Sequence, residues 1–347
     1  MMRDPTASSY AFCRQVVRRA GSSFTPWFLV LSPDRHRAMD ALYAFMRHTD
    51  DLADNSEPVE CRRQSLVRWR AALADALGDA ASQEALGATA GLSTYNRVSP
   101  GGHAGATADA HHPGVAAGAN QSAGANQSAA AVIAADPIGP GLLPALADAV
   151  RRFGIPAAHL EAVIDGVEMD LDRRHYQTFD QLADYCRHVA SAVGLACIHV
   201  WGFRGQEAFG PASQCGLAFQ LTNILRDLGE DAAAGRLYLP LDDLQACGYS
   251  PDDLREGVVD ERYFRLMRLQ TDRAEAFYRG GAGLFGLLEP EGRRIFGLLL
   301  DVYHRLLGRI RRRPADVLVR RVRLSCWQKL GVASRWMLLP PRRTALP

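Results

Sequence analysis

Two acidic clusters, far apart in the chain, constrain its fold more than any other feature. The first is His48-Thr49-Asp50-Asp51-Leu52-Ala53-Asp54, and the second is Asn223-Ile224-Leu225-Arg226-Asp227-Leu228-Gly229-Glu230-Asp231. Both lie in helix-compatible sequence with oxygen ligands four residues apart. That spacing stacks them on one helix face, about 5–6 Å between Cβ atoms. The first cluster extends backward as a polar stripe of Tyr43, Arg47, Asp50 with Asp51, and Asp54. The second runs from Gln220 through Asn223, Asp227 and Asp231, with Arg226 and Glu230 beside it. An ordinary surface helix with i,i+4 charge pairing would account for either stripe alone. The flanking residues argue against that reading. Met39, Leu42, Ala44, Phe45, Met46 and Leu52 surround the first, and Gly216-Leu217-Ala218-Phe219 precedes the second. A carboxylate stripe on a helix buried on most sides needs compensating charge. Hard oxygen ligands favour Mg²⁺, with Mn²⁺ as the alternative, and Mg²⁺ commonly takes one or two carboxylates plus substrate phosphates.

Taken together, the stripes imply two metal-carrying helices facing each other across a cavity, with a diphosphate held between them. Arg47 and Arg226 would add charge-assisted hydrogen bonds to its oxygens. A neutralised diphosphate is a good leaving group, so Lewis-acid ionisation is the natural reaction. Departure from an allylic carbon leaves a carbocation. An apolar, aromatic cavity then excludes water and leaves alkenes as the nucleophiles. Phe24, Tyr43, Phe45, Tyr185 and Phe219 are candidate lining aromatics, although core packing also accounts for each.

Most of the remaining chain reads as helix. Roughly 3.6-residue periodicity predicts helices over 35–54, 66–77, 141–153, 157–171, 179–203, 210–230, 263–288 and 292–311. Ser32 or Asp34 would cap the first, with Pro33 near its first turn, and Gly194 would interrupt the fifth. β-branched alternation is nearly absent, so the fold class is all-α. From about 87 to 139 the chain is rich in Ala, Gly, Ser, Asn and His and repeats Gly-Ala-Asn-Gln-Ser-Ala at 118–123 and 124–129. Such a composition buries too little apolar surface to offset ordering entropy, so a disordered surface insertion within a single domain is expected. His111-His112 within it reads as solvated rather than metal-binding.

The bulk numbers exclude several classes. The 347 residues are 48% hydrophobic, enough for one large core. Net charge is +2, which gives no signal for nucleic acid. The seven cysteines are scattered, without a CxxC pair, so neither a zinc site nor a disulfide framework is indicated and a reducing cytoplasm fits. The N-terminus lacks the apolar core of a signal peptide, and no run of about 18 apolar residues occurs. Two short apolar stretches, Phe24–Leu31 and Trp336–Pro340, read first as core and second as a peripheral contact with a membrane that holds a lipid substrate.

With these residues in view, the chain resembles the squalene/phytoene synthase family of head-to-head prenyl transferases. The resemblance rests on Gly21–Phe24, Ala41–Asp54, Asp165–Leu171, Tyr185–Gly194 and Gln220–Asp231, in that order. It implies an all-α isoprenoid-synthase fold with a central cavity and Mg²⁺ held by Asp50, Asp54, Asn223 and Asp227 with Asp231. Diphosphate contacts would come from Ser22, Ser23, Tyr43, Arg47, Gln220 and Arg226, with Tyr303 as a late tyrosine and Arg321 as a C-terminal arginine. The family condenses two prenyl diphosphates through a cyclopropyl diphosphate, and the released diphosphate can act as base. The Ala/Gly-rich insertion is outside the family pattern and is expected outside the cavity. No GxGxxG follows a strand, which argues against an NADPH-dependent second step. The expectation is phytoene formation from two geranylgeranyl diphosphates. Presqualene diphosphate, squalene or dehydrosqualene formation from farnesyl diphosphate is the near alternative. A type I terpene cyclase, a head-to-tail chain-elongating synthase and a non-catalytic prenyl-diphosphate-binding scaffold are more distant ones. Oligomeric state is left open.

Overall fold

A computed structural model describes residues 5–20, 25–78, 139–172 and 175–338. Ser22, Ser23, Phe24 and the expected insertion up to 138 lie outside the described residues. The helices are α1 (Pro5–Ala20), α2 (Pro33–Ala53), α3 (Val59–Leu77), α4 (Gly139–Phe153), α5 (Ala157–Asp172), α6 (Phe179–Cys186) and α7 (Ala192–Trp201). They continue as α8 (Phe209–Ala233), α9 (Leu241–Ala246), α10 (Pro251–Arg255), α11 (Glu261–Gly281), α12 (Leu284–Leu287), α13 (Pro290–Arg312), α14 (Asp316–Val319) and α15 (Cys326–Leu338). Among the described residues, extended pairing is confined to two isolated bridges, so the all-α expectation holds.

Local chemistry explains where the helices start. Pro33 occupies the first turn of α2, where its missing N–H costs nothing. Ser32 stands at the cap position but supplies no side-chain cap; its backbone N–H donates instead to Glu291 at 2.9 Å. Thr178 caps α6, Asp260 caps α11, and Ser250 with Asp253 closes a capping box on α10. Several elements were not anticipated from periodicity: α1, the short α9, α10 and α14, and α15. The predicted helix over 263–288 ends at Gly281; Gly280 and Gly281 pack closely on Gln214 and Cys215 of α8.

One contact sets which face of α2 turns inward. Trp69 Nε1 on α3 donates to Thr49 Oγ1 at 2.9 Å, and Thr49 Oγ1 donates to Phe45 O. Phe45 and Trp69 stack at 5.7 Å. α3 therefore covers the back of α2, and the stripe at Tyr43, Arg47 and Asp50 points the other way, toward α5, α7, α8 and α13.

The break in the α6–α7 rod falls at Arg187–Ser191, as a π turn, rather than at Gly194. A π turn adds one residue to a helical turn and so re-aims the helix beyond it. Two glycines make room for it. A Cβ on Gly216 of α8 would lie 2.5 Å from Ser191 Cα, and one on Gly166 of α5 would lie 2.6 Å from Val189 Cγ1. Only glycine lets both helices approach this closely. Gly194 lies on the cavity wall instead.

Of the described side chains in the stretch Phe24–Leu31, Phe28 and Leu31 are buried in the core and Leu29 is well exposed.

Candidate active site

The central cavity measures about 430 Å³. Its walls come from α2, α5, the π turn with α7, α8 and α13. Phe28, Trp201, Leu284 and Phe296 belong to its apolar lining, and Tyr43, Arg47, Asp50, Gln220 and Asn223 to its polar lining. Of the two predicted stripes, Tyr43, Arg47 and Asp50 from the first and Gln220 and Asn223 from the second line this cavity, while Asp54, Arg226, Asp227, Asp231 and Arg321 are not among its lining residues. Of the candidate aromatics, Tyr43 and Phe219 line it, Phe45 packs on Trp69, and Tyr185 lies outside the wall.

On the first rim, Asp50 keeps solvent contact within the cleft while protein surrounds it on most sides. Burial, and then the neighbouring Asp54, push its carboxyl up to about 7. Asp51 is the residue that pairs with Arg47, Nε to Oδ2 at 3.1 Å. On the second rim, Asp227 is bracketed by two arginines. Arg226 Nε donates at 2.8 Å, and Arg321 ion-pairs through Nε at 2.7 Å and donates from Nη2 at 3.1 Å. The sequence-predicted Arg321 therefore reaches the site from 94 residues away. Asp231 pairs with Arg236 at 3.2 Å, and burial raises its carboxyl above the usual range. Tyr303 is buried, stacks on Phe219 at 4.6 Å and lies against Asn223, with its hydroxyl pKa raised by burial.

Sequence reasoning assigned no role to a third acidic position. Asp170, on α5, accepts hydrogen bonds from Tyr185 at 2.9 Å and Tyr238 at 3.3 Å. Burial pushes its carboxyl up to about 6, with Asp54 adding like-charge repulsion. Its neighbours Asp165, Glu168 and Asp172 are held on the opposite face by Arg63 and Arg70 of α3. The signal available in sequence was an acidic residue on the apolar side of an otherwise surface-acidic helix.

The donors suit a hard divalent cation. Among the described residues no three His, Cys, Asp or Glu side chains form a closed cage. Each rim instead offers two carboxylates, and Asn223 Oδ1 is buried without a hydrogen-bond partner. An open oxygen-donor set of that kind fits Mg²⁺, which completes its octahedron with water and phosphate oxygens.

Comparison with known proteins bears on this geometry. The squalene/phytoene synthase profile matches residues 17–328. The chain belongs to the squalene/phytoene synthase family. A phytoene synthase of Arthrospira platensis is 30% identical, covering 95% of this chain and 93% of that protein. A 15-cis-phytoene synthase of Synechocystis is 30% identical, covering 93% and 82%. Among solved structures, a dehydrosqualene synthase in complex with ligand superposes with a TM-score of 0.68 at 22% identity, covering 96% of this chain and 98% of that one. A squalene synthase of Alicyclobacillus acidocaldarius gives 0.63 at 20% identity, covering 89% and 98%. These likenesses establish the isoprenoid-synthase helical fold. Members of this family are prenyltransferases that bind prenyl diphosphates and use a divalent metal. No described helix is long and apolar enough to cross a membrane.

Proposed function

We propose that this chain condenses two geranylgeranyl diphosphates head to head to give phytoene, through a cyclopropyl diphosphate. The observation that carries the reading is the placement of two carboxylate- and arginine-bearing helices across one apolar cavity. Asp50, Asp54, Asn223, Asp227 and Asp231 would hold Mg²⁺, and Mn²⁺ suits the same oxygen donors. The metal supplies charge neutralisation of the departing diphosphate. Arg47, Arg226, Arg321, Gln220, Tyr43 and Tyr303 would grip and orient its oxygens, joined by Ser22 and Ser23.

The rest is the work of the wall. Leu42, Val163, Val193, Phe219 and Phe296 keep water from the carbocation. The faces of Phe219 and Tyr303 offer it π density. The alkene of the second substrate then attacks C1, a proton leaves to the released diphosphate, and no protein base is needed. The same domain, from α1 to α15, carries all of these groups. A hydrocarbon product of this size must leave into lipid, so peripheral membrane contact is part of the proposal. Nucleic acid has no role in it, and a cytoplasmic location agrees with the reduced cysteines.

A second reading uses farnesyl diphosphate to make presqualene diphosphate, squalene or dehydrosqualene. The dehydrosqualene synthase and squalene synthase among the chain's structural neighbours fit this alternative. Product analysis decides. Purified protein with Mg²⁺ is incubated separately with each substrate, with and without NADPH. Phytoene without NADPH supports the main reading. A thirty-carbon product supports the second. A cyclic monomeric terpene would refute both while leaving the metal site standing.

A further inference from the structure

The C-terminal arm carries a surface that the reaction does not use. Between Arg293 and Leu338 the sequence has twelve Arg and Lys against two Asp, although the whole chain is nearly neutral. α15 packs antiparallel on α13: Arg294 donates to Met337 O, Arg335 reaches Asp301, and Arg309 donates to Arg323 O. Val332, Ala333 and Trp336 form its buried face. Its opposite face is also apolar. Trp327 is 81% exposed, Leu330 55% and Leu338 80%, with Met337 beside Leu338. At i, i+3 and i+10/i+11 these residues form one stripe. A helix apolar on both sides is using one of them for something outside the described core.

The charges around the stripe identify its partner. Arg311, Arg312, Arg313 and Arg323 are exposed and make no ion pair among the described residues. Lys329 lies half-buried between Trp327 and Leu330. Arg309 donates to the Arg323 carbonyl, which ties the arginine-rich end of α13 to the link that leads into α15, four residues before Trp327. Apolar side chains with an indole, ringed by arginine and lysine, match the interface of an anionic bilayer. They suit a second copy poorly, because unpaired arginines would face one another across a twofold axis. The surface also adjoins the site. Arg321, which brackets Asp227 at the second rim, is two residues from Arg323 in the extended link between α14 and α15.

We infer that α15 and the arginine-rich end of α13 dock this chain on an anionic membrane, with the rim of the cavity beside the lipid. The need for such docking rests on the proposed hydrocarbon-forming reaction; the exposed apolar stripe and its unpaired arginines do not. The placement lets a prenyl diphosphate slide from the bilayer toward the arginines and lets an apolar product return to it.

Vesicle flotation of the full chain tests this, using phosphatidylglycerol with phosphatidylcholine against phosphatidylcholine alone. At least tenfold stronger binding to the anionic vesicles is expected. Replacing Arg311, Arg312 and Arg313 with Gln should weaken it by roughly fivefold per residue, on the order of a hundredfold together. Trp327→Ser with Leu330→Ser should weaken it at least tenfold, with the residual binding insensitive to lipid penetration by fluorescence. Turnover in detergent micelles, where no surface is needed, should be unchanged in both variants; this confirms folding and reads the catalytic proposal separately. Equal binding to neutral and anionic vesicles, or wild-type binding by both variants, would overturn the assignment. So would a wild-type dimer in sedimentation that the Trp327/Leu330 variant abolishes without any vesicle binding.

Discussion

Asp50→Asn should stabilise the metal-free protein while abolishing its turnover. In the folded chain the Asp50 carboxyl is displaced from 3.8 to about 7, first by burial and then by Asp54. The folded state therefore binds a proton that the unfolded state releases between about pH 4 and 7. Stability falls across that window as pH rises, and the full penalty is present above pH 7. The displacement sets a ceiling of roughly 4 kcal/mol. Asp50 still meets solvent inside the cleft, and screening reduces the expected effect to about 1–2 kcal/mol. In a chain of this size that is a rise in Tm of roughly 1–3 °C. The assay is thermal unfolding in EDTA at pH 8 and pH 5, with wild type and variant side by side. The gain should be largest at pH 8 and fall to roughly a third at pH 5, because the penalty builds up only between about pH 4 and 7. Mg²⁺ with inorganic diphosphate should then stabilise wild type and not the variant. No gain at pH 8, or an equal gain at both pH values, would refute the account of Asp50 as a partly desolvated carboxylate in the cleft awaiting a cation.

Other residues of the site and its walls carry their own expected outcomes. Asp227→Asn should lower turnover by at least about 10³-fold with helix content unchanged by circular dichroism, and EDTA should do the same reversibly. Gly216→Ala drives a methyl to within 2.5 Å of Ser191 Cα, so urea unfolding should show a loss of about 1–3 kcal/mol. Trp201→Ala removes a buried aromatic from the cavity wall, at a cost of about 3–5 kcal/mol, and should shift product ratios toward the longer substrate in competition assays. Tyr185→Phe removes the 2.9 Å hydrogen bond to Asp170 and should cost about 1–2 kcal/mol in the same unfolding assay.

The features legible in the sequence were those that repeat locally. The i,i+4 carboxylates and their apolar flanks announced both rims, because helical periodicity alone decides which side chains share a face. The long helices were legible for the same reason. The break at Arg187–Ser191 was not, because it depends on Gly166 and Gly216 pressing from two other helices. Gly194 was the more conspicuous residue, but its own surroundings are roomy. Asp170 was hidden because its partners Tyr185 and Tyr238 come from separate segments. Arg321 was reached only through a resemblance, as a diphosphate contact, and its pairing with Asp227 is contained in no local pattern.

The paired arginines on Asp227 bear on how ligands arrive. In this arrangement Asp227 is already neutralised, so a lone cation must displace arginine to reach it. A lone anion faces the converse obstacle, since Arg226 and Arg321 are already engaged. A cation and a diphosphate arriving together satisfy both sides by exchange, carboxylate to cation and arginine to anion. Each ligand therefore strengthens the other's binding by the same factor. The second rim acts as a coincidence gate, which disfavours ionisation chemistry until both charges are present.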